Sequence, residues 1–465
     1  MVTKSEAVGQ RRALGVLLVA AVMGAASAAG SAVEKAPTGS HLQVSEARTL
    51  VSEGGRNPTV ASDRRSETVY LAWAQEVPGN PEVGKEGKKA DPRIEVRVSR
   101  SEDGGRGFGP PVVASSAEDR VESFTVSPTQ VAVGPRGEVY VLYSHNDPEF
   151  KASGWEIGRS LLRLVLSTDG GKRFSTPVEI GAESVEGVLT TVGMLNLFVA
   201  PAGDLYASFL DYREDIAYRL ANAKEPPKGQ EPATQLRVAR STDGGRTFGR
   251  STLVSKPVCG CCGTKLAQGI AGPLYATTRG QANELKGSYD AVRDPFVSVS
   301  RDGGTSWSAP VKFHDDRFKI SGCPDVAPGM AVDSKGRLHA AWYTGTDRHP
   351  GVFYARSDDE GRTFSTPMAL LSGDWVPYGD VKLALDGGDN AWVAFEDRRG
   401  DEDLIQVARI APDGSYILTE AWPGTAPDLT ARRDAAIVAW GTKAPNEEAK
   451  SGGVRVRLVG PPQSP

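Results

Sequence analysis

STDGGRTF, residues 241–248, holds a serine, an aspartate and two adjacent glycines in one short run. The run recurs as SEDGGRGF at 101–108, STDGGKRF at 167–174, SRDGGTSW at 300–307 and SDDEGRTF at 357–364, all fitting SxDxGxx(F/W). Its aspartates, Asp103, Asp169, Asp243, Asp302 and Asp359, lie 57 to 74 residues apart. A segment that repeats at such a period is architecture before it is chemistry. As a turn it is self-consistent: the aspartate accepts nearby backbone N–H groups, glycine supplies positive φ, and the terminal aromatic packs between sheets. The five aspartates are therefore assigned a structural role.

The flanks say what the turn joins. An alternating run such as RIEVRVS, LRLVLS or VFYARS precedes a copy, and a shorter one such as TPVEI or APVKF follows. Period-two alternation on both sides of a Gly-rich turn marks two antiparallel strands. Upstream lies another strand pair, as in PTVASDRRSETVYLAWA (58–74), PTQVAVGPRGEVYVLY (128–143), APGMAVDSKGRLHAAWY (327–343) and VKLALDGGDNAWVAFE (381–396), with weaker copies at 195–210, 265–278 and 427–440. Each unit is thus four short strands. The last has a third strand in VRVRLV (454–459) and no fourth, whereas ARTLVS (47–52) stands alone ahead of the first. The pattern predicts an all-β propeller of four-stranded antiparallel blades, its ring closed by an N-terminal strand so that no long edge is left open. Seven strand pairs favour seven blades, with six as the alternative.

Charge and termini set the environment. The formal net charge is −4 over 465 residues, which gives no basic face to track a phosphate backbone and argues against nucleic acid as partner. Lys4, Arg11 and Arg12 precede the apolar run ALGVLLVAAVMGAA (13–26), and Ala26-Ser27-Ala28 fits a small-residue cleavage site. Residues 1–28 read as an export signal, the apolar run being too short for a stable membrane span. Residues 29–44 read as a flexible linker and 45–461 as a single propeller. The mature chain is expected to be secreted or periplasmic, and monomeric.

Fixing the repeated turn on one face puts the second-to-third-strand loops, and the links between blades, on the other. Those segments carry Arg213, Arg279, Arg293, Arg348 and Arg398, whose guanidinium forks match the carboxylate of an anionic ligand. Pairing with neighbouring acids such as Asp211, Asp294, Asp347 and Asp397 is the competing use.

The five repeats are similar to Asp boxes, and the chain resembles the sialidase superfamily of β-propellers, in which such boxes also occur on non-catalytic members. The resemblance implies a ligand site opposite the boxes. GGRNPTV places Arg56 where the family has a carboxylate-binding arginine, although the isoleucine of its Arg-Ile-Pro motif is replaced by Asn57. Asp91, in KKADPRIEV, stands nearest the acid/base aspartate, with Glu76 second. PYGDVKLALDGGDNAWVAFEDRR (377–399) is similar to the segment that opens on a nucleophilic tyrosine, which implies Tyr378 as nucleophile and Glu396 in a supporting acidic role. A phenol suits an anionic substrate because a carboxylate nucleophile would be repelled. Arg293 resembles another carboxylate-binding arginine. A complete blade, 326–371, stands between Arg293 and Tyr378, where the family has successive units, and Tyr378 as a packing residue at a blade edge is the plainer alternative.

Four cysteines remain: Cys259, Cys261 and Cys262 in VCGCC, and Cys323 in GCP. They enter consecutive blades on the same face and should therefore meet. Two disulfides are the first expectation in an exported chain. Strain in a link within the CGCC run leaves a redox pair or a copper or zinc thiolate site, with His314, Asp315 and Asp316 nearby, as alternatives; no other cofactor is implied. Two function classes follow: a propeller that binds, and as an exo-α-sialidase-like glycoside hydrolase cleaves, an anionic glycan; or a non-catalytic propeller that binds a ligand, a protein or a metal.

Overall fold

The computed structural model describes residues 41–79, 92–147, 159–185, 188–222, 232–280, 291–320, 322–443 and 452–461. Within them, seven antiparallel sheets follow one another along the chain as blades, accompanied by a short hairpin at Ser184–Val185 and Val188–Leu189 and one helix, Arg213–Asn222. Blade one consists of Gly55–Ser62, Val69–Val77, Arg93–Ser101 and Val112–Val113, each hydrogen-bonded to the next. The molecule is a seven-bladed propeller, which excludes the six-bladed alternative.

The last blade borrows its outer strand from the other end of the chain. Val454–Gly460 pairs with Arg48–Val51, Arg48 opposite Val456, and also with Gln43–Val44, Val44 opposite Val459. Leu42 is buried in the core shared by blades six and seven. Residues 42–44, expected as the end of a linker, thus belong to the folded ring. The export signal read over 1–28 lies outside the described residues. No helix among those described is long and apolar enough to cross a membrane.

The core is a ring of seven blade-to-blade interfaces. Strand periodicity explains it, because alternate side chains of a buried strand point to opposite faces of its sheet. In blade one, Leu71 and Trp73 pack against Ile437 and Val456 of blade seven, whereas Tyr70 and Ala72 pack against Val141 and Val165 of blade two. Trp342 repeats the pattern between blades five and four, and Tyr343 between blades five and six. Second strands are accordingly apolar on both faces rather than amphipathic.

The repeated turn closes the third and fourth strands in blades one to five. In blade three, the Ser241 hydroxyl donates to Asp243 Oδ1 (2.8 Å) and accepts the Gly245 N–H (2.9 Å). Asp243 Oδ1 also accepts the N–H groups of Arg246 and Thr247. The serine bonds recur in the other four copies. Gly245 (φ +85°) meets two demands: a left-handed backbone, and a fit so close that a Cβ would lie 2.9 Å from Leu164 Cδ2 and 3.4 Å from Tyr140 of the preceding blade. The turn therefore ties one blade to the next.

Candidate functional site

The ends of the first strands opposite these turns are irregular in a shared way. Pairing with the second strand breaks between Arg56 and Thr59, between Gly193 and Asn196, and between Thr425 and Asp428. At each break a non-glycine residue takes positive φ: Asn57 (50°), Met194 (54°) and Ala426 (49°). Asp325, ahead of the first strand of blade five, does the same at 49°. Such conformations cost about 1–3 kcal/mol each and gather at functional sites, as bulges do. In blade two the first strand is split into Val121–Glu122 and Gln130–Val133, both paired with the second strand of that blade.

The irregular segments of blades one, two, three and five, with residues of blade six, line an open cavity of about 600 Å³: Arg56, Asn57, 123–126, Met194, Asp325, Val326, Tyr378, Gly379, Asp380, Glu396 and Arg398. The volume suits a small ligand. Arg56, Tyr378, Glu396 and Arg398 thus come from blades one and six to a single place. Tyr378 is 41% exposed and lies on the wall of this cavity. The Arg56 guanidinium has no ion pair or hydrogen bond among the described residues, and its Nε is buried without a partner.

On the blade-six wall the charges are mutually held. Arg398 Nε lies 3.1 Å from Glu396 Oε2, and Arg398 Nη1 donates to the Tyr378 carbonyl at 3.4 Å. Glu396 also accepts the N–H groups of Asp380 (3.1 Å) and Ala426 (2.6 Å). Burial, reinforced by the nearby Asp380 carboxylate, pushes Glu396 up to about 7. Burial likewise raises Asp380, although Lys382 Nζ stands 3.7 Å away. Gly379 permits this close approach: a Cβ there would sit 2.8 Å from Glu396 Cβ and 3.2 Å from its carboxylate.

The remaining arginines have other surroundings. Arg213 is paired with Asp211 (2.6 Å) and Glu183 (3.2 Å) at the start of the helix. Arg279 is fully buried and donates to the carbonyls of Val326, Arg293 and Tyr343, stitching blade four to blade five. Arg293 is buried beside Cys259 and lies outside the cavity lining. Arg348 is exposed. Asp91 lies outside the described residues, and Glu76 is the penultimate residue of the second strand of blade one, opposite Ile94. Sequence reasoning missed Asp325 and Asp380. Asp380 had a local signal in its place two residues after Tyr378, whereas nothing in the sequence announces the backbone of Asp325.

The cysteines do meet. Cys261 and Cys323 form a disulfide across the links into blades four and five, and Cys259 and Cys262 are free and buried. Their sulfurs are 3.0 Å apart, well beyond an S–S bond, so one disulfide stands where two were expected. The acidic neighbours do not join the cluster. His314 bonds to Asp316 (2.7 Å), Asp316 to the Trp342 indole (2.8 Å), and Asp315 to Lys312 (2.5 Å).

No protein-family model matches this sequence, and no characterised protein is significantly similar to it in sequence. Solved structures with a similar fold include an ulvan lyase, a polysaccharide lyase bound to a GlcA–Rha3S unit, with TM-score 0.51 and 11% identity over 89% of this chain and 95% of that one. Polysaccharide lyase Uly1 gives TM-score 0.51 and 9% identity over 90% and 99%. NanB sialidase from Streptococcus pneumoniae gives TM-score 0.42 and 13% identity over 92% and 71%. At these identities the likeness shows the shared propeller fold alone.

Proposed function

We propose that this is an exported carbohydrate-active propeller of the Asp-box kind, whose cavity opposite the repeated turns takes an acidic sugar. The observation that carries the reading is Arg56, a cation with a buried, unpartnered Nε on the wall of a ligand-sized cavity. A buried donor without an acceptor costs about 1–3 kcal/mol, which a ligand carboxylate recovers. Arg398 supplies a second guanidinium on the same cavity wall, 3.1 Å from Glu396. Similar folds that act on polysaccharides fit the same substrate class.

The reaction that these residues suit is glycoside cleavage with Tyr378 as nucleophile and Asp91 as acid/base. A neutral phenol approaches an anionic sugar without repulsion. With Arg279 engaged by backbone carbonyls and Arg293 outside the cavity, the carboxylate clamp here is Arg56 with Arg398, which extends the substrate class from sialosides to other acidic sugars such as uronates. Fluorogenic sialosides and uronate-containing polysaccharides, assayed side by side, test it. Turnover of either, reduced at least ~10³-fold by Tyr378→Phe, is the expected result. Turnover unaffected by that change points to lyase or hydrolase chemistry without the phenol. Binding without turnover leaves a lectin-like module, and neither binding nor turnover refutes the reading.

A further inference from the structure

The four cysteine sulfurs form a cluster that the sugar site does not use. Cys259 Sγ lies 3.8 Å from Cys261 Sγ, 3.6 Å from Cys323 Sγ and 3.0 Å from Cys262 Sγ, and Cys262 Sγ lies 3.8 Å from Cys323 Sγ. Four thiolates around an ion at about 2.3 Å occupy a tetrahedron with edges of about 3.8 Å. Two of these four non-bonded separations have that length, and a third, at 3.6 Å, comes close to it. The sulfurs of Cys259, Cys261 and Cys323 all lie within 4.8 Å of one another, and Cys262 is close to two of the three.

The frame around the cluster is fixed by three blades. The Cys259 N–H donates to the Arg279 carbonyl (2.9 Å), the Tyr212 hydroxyl of blade three to the Gly260 carbonyl (2.8 Å), and the Thr278 hydroxyl to the Gly263 carbonyl (3.1 Å). Arg279 joins the same frame to blade five through the Val326 and Tyr343 carbonyls. Cys259 and Cys262 have no exposed surface.

We propose that the reduced cluster is a closed four-thiolate site for one thiophilic d¹⁰ cation, zinc(II) or copper(I), and that the Cys261–Cys323 disulfide is its oxidised, metal-free form. The ligand set is soft and entirely sulfur, which selects these ions over magnesium or calcium. A dithiol reductant passes two electrons and two protons to the disulfide and itself becomes a disulfide. Metal uptake then releases the thiol protons to solvent. Val326 lines the sugar cavity and accepts from Arg279, so a filled centre stiffens that wall without touching the ligand.

The test uses the full chain, reduced with a dithiol under anaerobic conditions, freed of reductant and offered zinc(II) or copper(I) in separate arms. Mass-spectrometric metal analysis after gel filtration should give one ion per chain in at least one arm. Cobalt(II) should give the absorption of a tetrahedral tetrathiolate. The oxidised chain should bind at least ~100-fold more weakly, and so should the double variant Cys259→Ser with Cys262→Ser. If that variant does not fold, the oxidised and reduced wild-type chains decide the matter between them. Reduced protein that holds no ion in either arm, or holds it equally well when oxidised, overturns the proposal. So does a Cys259–Cys262 disulfide that forms in preference to metal uptake.

Discussion

The two faces of the propeller treat their carboxylates in opposite ways. Asp243, in the repeated turn, is surrounded by donors from its own turn, and these hydrogen bonds, the Thr247 hydroxyl foremost, hold its carboxyl well below the usual range. Glu396, at the opposite mouth, is buried near Asp380 and is pushed up to about 7. The same contrast holds for cations: Arg173 is paired within its turn at 2.9 Å, whereas Arg56 has no partner among the described residues. The turns of one face bond within themselves and repeat, and the opposite mouth is unique and leaves Arg56 without a partner among the described residues. Regularity here builds the ring, and departure from regularity marks the place where a ligand completes it.

Breaking the regular face should be the more damaging. Gly245→Ala forces a Cβ onto a left-handed backbone and against Leu164, for an expected loss of about 3 to 4 kcal/mol in urea unfolding. Ligand affinity of the folded fraction should not change. A loss below about 1 kcal/mol would mean that the turn does not tie its blade to the preceding one.

The opposite mouth should show itself through pH. The folded chain holds the Glu396 proton more tightly than the unfolded chain. Its stabilising contribution is therefore intact below about pH 4.5 and is lost as pH rises through about 7. Glu396→Gln keeps the shape and cannot titrate. Between these pH values the variant should gain on wild type by no more than about 3 kcal/mol, read as the pH dependence of the difference in unfolding free energy. A difference that does not vary with pH would contradict the burial of an ionisable Glu396.

The fold was largely legible because repetition multiplies weak signals. Seven strand pairs, five SxDxGxx(F/W) turns and an orphan strand at 47–52 specify a closed ring with few alternatives. Topology then placed Arg56, Tyr378, Glu396 and Arg398 on one face, and the structure brings them to one cavity. Beyond that the sequence falls silent for a physical reason. An arginine in a loop looks the same whether it engages backbone carbonyls, as Arg279 does, or a local acid, as Arg213 does. Arg293 shows the same limit, since its place beside Cys259 depends on how two links cross in space. The positive φ of Met194 and Asp325 carries no glycine to announce it. The cysteine runs had to face each other, but which sulfur bonds to Cys323 depends on side-chain direction within a four-residue span.

The central claim is that the incomplete face is completed by an acidic sugar at Arg56, and calorimetric titration tests it most directly. Glucuronate- and sialate-terminated oligosaccharides, with neutral counterparts of the same length as controls, would be titrated into wild type and Arg56→Ala. At least one acidic series should bind at least ~10-fold more tightly than its neutral counterpart, and that preference should vanish in the variant. Equal affinity for acidic and neutral sugars, or an acidic preference that survives the loss of Arg56, would contradict the account.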